Sequence, residues 1–183
     1  MTEKELMLAG KLYDASDNEL VKDRFKAKTI CQKYNQLFPE NIIEKEELLK
    51  DLFSSKEKCT IEPNFQCDYG YNIKFGKNFY MNHNCVILDV NTVTFGDNVM
   101  IGPNVQIYTA THPVDAVRRN KGREFGYPII IGDNVWIGGG AIICPNITIG
   151  NNVVIAAGSV VVKDIPENVI VGGNPAKIIK TII

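Results

Sequence analysis

The sequence predicts a mainly β chain wound as a parallel β-helix of hexapeptides, preceded by a helical segment. Three observations predict it. Large apolar residues recur every six positions: Phe95, Ile101 and Ile107, then Ile131, Ile137, Ile143, Ile149, Ile155 and Val161. Glycine often follows these anchors, at Gly96, Gly102, Gly132, Gly138 and Gly150. Four positions past most anchors stands another small or apolar residue: Val99, Val105, Val135, Ala141, Ile147, Val153 or Ser159. A period of six is neither the 3.6 of a helix nor the alternation of a long hairpin. It suits short strands joined by tight corners, three sides to a coil, with the anchors stacked along the axis. Gly and Asn at the corners tolerate positive φ.

The elements follow in chain order. From Leu20 to Phe38 the apolar residues Leu20, Val21, Phe25, Ala27, Ile30, Cys31, Tyr34, Leu37 and Phe38 fall mostly at three- and four-residue steps. That spacing predicts one helical stripe, with Asp17 or Asn18 as N-cap and Pro39 as the stop. A further helix fits Ile42 to Phe53, where Asn41 and Glu44 are spaced as a capping box. Lys and Glu fill the outer faces. From Cys59 onward Val, Ile, Asn and Gly rise. The chain thus divides into a helical segment, residues 1–58, and a β-helix, residues 59–183. An earlier register, Phe75, Met81 and Ile87, is offset by two from the later one and predicts an irregularity near Asp89 to Thr92. Between Ile107 and Ile131 the anchor phases hold Pro113, Arg119 and Phe125. This predicts a protruding loop, residues 113–128, that leaves after Thr111-His112-Pro113 and re-enters at Tyr127-Pro128. Arg118, Arg119, Lys121 and Arg123 would ride on that exposed arm.

Composition narrows the function classes. The 183 residues carry a formal net charge of −1, so no global field recruits nucleic acid or an anionic membrane, and neither is an expected partner. No apolar run approaches the roughly 18 residues of a membrane span. The start, MTEKELMLAGKLYD, lacks the apolar core of a signal peptide. A cytoplasmic protein is expected. Its five cysteines are scattered, without a C-x-x-C pair, and read as small hydrophobes in a reducing compartment.

The stretches "FQCDYGYNIKFGKNFYMNHN", "GDNVMIGPNVQIYTATHP" and "IGDNVWIGGGAIICPNITIGNNVVIAAGSVVVKDIPENVIVGGNPAKIIK" resemble the hexapeptide-repeat acetyltransferases, and among them the maltose and galactoside O-acetyltransferase group. The resemblance covers nearly the whole chain. It implies a left-handed β-helix, a known exception to the right-handed rule for parallel crossovers. It implies a homotrimer with active sites in the clefts between neighbouring subunits. It also implies acetyl transfer from acetyl-coenzyme A, as co-substrate, to a sugar hydroxyl, with no required metal.

A sugar hydroxyl is a poor nucleophile at neutral pH and needs a general base. Histidine suits that role, and the chain has two, His83 and His112. His112, in "THP", matches the family's catalytic position. Pro113 restricts it to extended backbone. Asn82 matches an acceptor-binding asparagine, whose amide can donate and accept. His83 beside it is at most a cleft-wall residue. Asp68 matches a position facing the acceptor, and Asp89 is an alternative for that role. Near the N-terminus the family places an acidic residue on the acceptor, and Asp14 stands one place from that position. Gly139 matches a position whose backbone N–H is implied as an oxyanion donor. Trp136, Gly139, Ala157, Val162, Lys163, Lys177 and Lys180 match donor-binding positions. At the last two, relatives often carry Arg, which grips phosphate in a fork where Lys acts as a point charge.

Three rival functions share features with this sequence. A γ-class carbonic anhydrase needs three histidines around zinc, and this chain has two. A xenobiotic or serine acetyltransferase would share the chemistry and differ in acceptor. A non-catalytic β-helix scaffold would have no need of His112, Asn82 and Trp136 together.

Overall fold

Caps and apolar stripes set the helices. In the computed structural model, which describes every residue except Ser54, Lys56 and Ile183, α1 spans Glu3–Leu8, α2 Asn18–Gln36 and α3 Ile42–Leu52. Thr2 and Glu5 form a reciprocal capping box on α1. The Asp17 carboxylate caps α2 by accepting from the amides of Glu19 and Leu20. The box expected at Asn41 and Glu44 does not form. Asn41 sits at φ −76°, ψ 52°, away from the extended backbone that aims a capping side chain into the first turn, and makes no side-chain cap bond. The stripe on α2 is also narrower than its sequence implies. Leu20, Ala27, Ile30, Cys31 and Tyr34 are buried, while Phe25 is 66% and Phe38 72% exposed. Phe25 lies about 140° around the helix from Leu20 at 100° per residue, and Phe38 lies beyond the helix end.

From Cys59 the chain forms a three-sided parallel β-solenoid of about six turns, the mainly β fold its repeat predicts. Face 1 stacks the strands Cys59–Ile61, Phe79–Met81, Met100–Ile101, Trp136–Ile137, Val154–Ile155 and Val169–Gly172, closed by the antiparallel Lys177–Thr181. Face 2 stacks Gln66–Cys67, Val86–Leu88, Gln106–Tyr108, Ile142–Ile143 and Val160–Val161. Face 3 stacks Ile73–Lys74, Val93–Phe95, Ile129–Ile131 and Thr148–Ile149. Every anchor from Phe95 to Val161 is at most 2% exposed. The residue two before most anchors, such as Val99, Val105 and Val135, is buried too, so each side sends two side chains inward. The turns nearest the helices are filled by aromatics: Phe65, Phe53, Phe75, Phe79 and Phe95 touch in that order with centroids 4.9–5.8 Å apart. Helices α2 and α3 share this core and so cover one end of the stack.

The glycine after an anchor has a steric cause. A Cβ on Gly96 would lie 2.1 Å from Asp133 Oδ1, and one on Gly132 2.3 Å from Asn151 Oδ1. Those side chains reach across to accept the amides of Asp97 and Asp133 in the neighbouring turn. Asn residues carry the positive φ at most corners, among them Asn78, Asn98, Asn134 and Asn152.

Corner 2, between faces 2 and 3, departs from the repeat. Residues 143 to 149 take six steps between inward anchors, but 67 to 75 and 87 to 95 take eight. The added residues are the irregularity expected near Asp89 to Thr92. One turn later the same corner opens into the arm. Phe95 pairs in register with Ile131 and Ile101 with Ile137, each 36 positions on, where Ile137 pairs with Ile155 after 18. The insertion therefore equals one regular turn and leaves the hexapeptide phase unchanged. The arm starts with the strand Ala110–Thr111, carries α4 at Ala116–Arg119 and returns as Arg123–Gly126. Tyr127 N donates to Thr109 O and closes its neck. Arg123–Gly126 also pairs with the strand Tyr13–Asp14, tying arm to N-terminus. Arg118, Arg119 and Lys121 are exposed, as expected, but Arg123 is not free surface: its guanidinium lies 3.4 Å from Glu3. Among the described residues, no helix is long and apolar enough to cross a membrane.

Candidate active site

His112 follows the strand Ala110–Thr111 directly, and the next residue, Pro113, is buried. The imidazole borders a cavity of about 260 Å³ lined also by Tyr13, Arg24, Asp68, Tyr69 and Glu124. Asp68 reaches it because corner 2 is lengthened. Its carboxyl is pushed above the ordinary range by burial, with Arg24 and Lys28 pulling the other way. Glu124 comes from the arm and accepts from the Tyr13 hydroxyl at 2.7 Å. Arg24, on α2, donates to the Tyr69 hydroxyl at 2.7 Å and to Ala15 O at 2.6 Å. Helix, solenoid corner and arm thus converge on one polar pocket lined by two carboxyl groups and a histidine.

Below the pocket sits Asp89, fully buried. Its Oδ1 accepts from the amides of Asp68 and Tyr69 at 3.0 and 2.9 Å, while Oδ2 has no partner among the described residues. Asp89 is therefore beneath Asp68 rather than facing the pocket. Asp14 is also turned to other work. Its carboxylate accepts from the amide and hydroxyl of Ser16, and the flanking Tyr13 and Ala15 line the pocket instead. Glu124 and Arg24 are the residues that sequence reading missed. Neither belongs to a repeat, and their convergence depends on how the arm and α2 fold back.

The remaining candidates lie elsewhere in the chain. Corner 1, between faces 1 and 2, stacks Pro63, His83, Pro103, Gly139 and Ala157: each accepts, at its carbonyl, or donates through its successor, as in Asn104 N to His83 O, Gly140 N to Pro103 O and Gly158 N to Gly139 O. Asn82 is at this corner. Trp136 is on face 1 just before it, 52% exposed, in register with Met100 and Val154. Lys177 and Lys180 are exposed on the last strand of the same face. The exposed Val162 and Lys163 belong to corner 2, on the side of His112 and Asp68. Within one chain the candidates form two lines on different edges of the prism. Asn82, Gly139 and Ala157 run down one edge; Asp68, His112, Val162 and Lys163 run down the other.

At corner 1 the amides of Gly138 and Gly140 are bonded to Ile155 O and Pro103 O, but Gly139 N has no backbone partner among the described residues. The equivalent position is Pro63 and Pro103 in the early turns, where no N–H exists to satisfy. A Cβ on Gly139 would come 3.1 Å from Pro103 O, so the corner is tight there.

Residues 6–57 match the maltose acetyltransferase hexapeptide capping motif, and residues 128–163 match the bacterial transferase hexapeptide in six repeats. The crystal structure of a maltose O-acetyltransferase from Clostridium difficile 630 superposes with a TM-score of 0.98 at 54% identity, over 100% of this chain and 98% of that one. A galactoside acetyltransferase in complex with coenzyme A superposes at 0.96 and 42% identity, over 100% and 92%. The galactoside O-acetyltransferase of Escherichia coli K12 is 43% identical over 183 residues, 100% of this chain and 89% of the relative. With a capping motif on its helices, a hexapeptide solenoid and full-length similarity to these enzymes, the chain belongs to the hexapeptide-repeat acetyltransferases and is an acyltransferase.

Proposed function

We propose that the protein moves the acetyl group of acetyl-coenzyme A directly to a hydroxyl of a sugar such as maltose, glucose or a galactoside. The observation that carries this reading is the pocket that His112, Asp68 and Glu124 line together. Two carboxyl groups suit a polyol, because each can accept from neighbouring hydroxyls. His112 takes the proton of the attacking hydroxyl as the new C–O bond forms, and returns it to the sulfur as the C–S bond breaks. Acetyl-coenzyme A supplies the activated acyl group as a thioester. The unpaired Gly139 N–H is available to the oxyanion that develops on its carbonyl. Trp136, Ala157, Val162 and Lys163 line the donor, with Lys177 and Lys180 toward its phosphates.

The working unit in this reading is a homotrimer, and the enzyme acts in the cytoplasm. Support for the trimer comes from the division of the site over two edges. Corner 1 of one copy, brought against corner 2 of the next, unites the two lines, and a head-to-tail contact of this kind closes into a ring on a three-sided prism. Replacing His112 with Ala should lower thiol release from acetyl-coenzyme A by about 10²–10⁴-fold, the usual contribution of a positioned base, with a panel of mono- and disaccharides as acceptors. Near-normal turnover in that variant would remove His112 from the mechanism.

A further inference from the structure

At corner 1 the amide of residue 83 is one that coil stacking leaves without a carbonyl, as at Gly139. Asn82 fills that gap. Its side-chain oxygen lies 2.7 Å from His83 N and 2.8 Å from His83 Nδ1. A backbone N–H can only donate, so the Asn82 atom facing it must be Oδ1 and not Nδ2. The same oxygen then requires a proton on His83 Nδ1. The other ring nitrogen, Nε2, faces Glu62 Oε2 at 3.6 Å. Three side chains from two successive turns thus form a chain, Glu62 to His83 to Asn82, on an exposed edge where the ring is 52% accessible.

We infer that His83, with Glu62 beside its Nε2 edge, is a positioning residue that commits the Asn82 oxygen internally and presents only the Asn82 NH₂ group to the acceptor. This rests on the reading of Asn82 as an acceptor contact. Asn82 then acts as a donor alone, and binds a hydroxyl through its oxygen lone pair. That hydroxyl keeps its own proton free to be given elsewhere. Without His83 Nδ1, only the His83 backbone N–H still holds the oxygen, and the amide turns more freely about its terminal torsion, which has no strong preferred setting, so that NH₂ faces the acceptor less consistently.

The test is steady-state kinetics with acetyl-coenzyme A and maltose, glucose and a galactoside as acceptors, on wild type, N82A, H83F, H83Q, E62Q and the N82A/H83F double variant. H83F keeps the ring's bulk and removes the donor. It should raise acceptor KM about tenfold, the scale of one lost oriented contact, with acetyl-coenzyme A KM within about twofold. H83Q, which restores an N–H, should recover most of the loss, and E62Q should lose less than H83F. H83F should add nothing in the N82A background. The thermal midpoint of H83F should stay within about 2 °C, as for an exposed site. If N82A raises acceptor KM and H83F does not, or if H83F adds fully to N82A, the positioning role is overturned and the Asn82 contact stands. If N82A itself leaves acceptor KM unchanged, the acceptor reading of Asn82 fails, and this inference with it.

Discussion

Asp89 is a carboxyl group that the fold holds against its own solvation. Burial pushes it up to about 7 from 3.8, opposed by the Tyr69 and Asp68 amides and assisted by the Asp68 charge. Between those two pH values the native chain keeps a proton that the unfolded chain has released. Stability therefore falls as pH rises through this window, and the loss is complete above about pH 7. At about 1.36 kcal/mol per unit, the cost is on the order of 4 kcal/mol. Asp89→Asn resembles the protonated acid and keeps an oxygen for the Asp68 and Tyr69 amides. The stability of wild type minus that of D89N, from denaturant unfolding, should drop by up to about 4 kcal/mol between pH 4 and pH 8. Parallel pH curves for the two proteins would show that the carboxyl releases its proton in the same range whether folded or unfolded, and that burial does not raise its pKa.

At the scale of elements, the corner glycines separate two kinds of constraint. Gly96 has ordinary φ, but a Cβ there meets Asp133 Oδ1 at 2.1 Å and backbone atoms of Gly132 and Asp133 at 2.8 Å. Gly122, in the arm, has φ +73° with nothing within 4 Å. Gly96→Ala should cost about 2–4 kcal/mol, because stacked turns must part. Gly122→Ala should cost about 1–2 kcal/mol, from left-handed strain alone. Equal thermal shifts for the two would contradict the steric reading of the ladder. The same elements explain what was legible in the sequence. Ile101, Ile137 and Ile155 declare themselves because each must fill the same slot in successive turns, so the pattern repeats with the structure. Glu124 and Arg24 do not, since each meets the pocket once, through non-local pairing of the arm with Tyr13–Asp14 and of α2 with corner 2. The cap at Asn41 failed for a related reason. Spacing proposes a capping box, but the backbone angle at one residue decides whether the side chain can reach. The arm keeps the count in phase because its insertion matches one whole turn, and it is legible instead from Pro113, Arg119 and Phe125 standing at the anchor phases.

For the whole molecule, the prism geometry divides the candidate residues between two edges of one chain. Asn82 and Gly139 stand on the edge between faces 1 and 2, His112 and Asp68 on the edge between faces 2 and 3, and face 2 separates the two edges throughout the stack. If each site joins corner 1 of one copy to corner 2 of its neighbour, then N82A and H112A damage opposite halves. A trimer containing both variants has some clefts made from the intact corner 1 of an H112A chain and the intact corner 2 of an N82A chain. Random reassembly of equal amounts, after unfolding and refolding together, makes about one cleft in four intact, given the cyclic arrangement. Two separately crippled proteins should thus recover up to about a quarter of wild-type thiol release when refolded as a mixture, and none when mixed without subunit exchange. Sites contained within single chains would give no recovery under either protocol, since every chain would carry one damaged half.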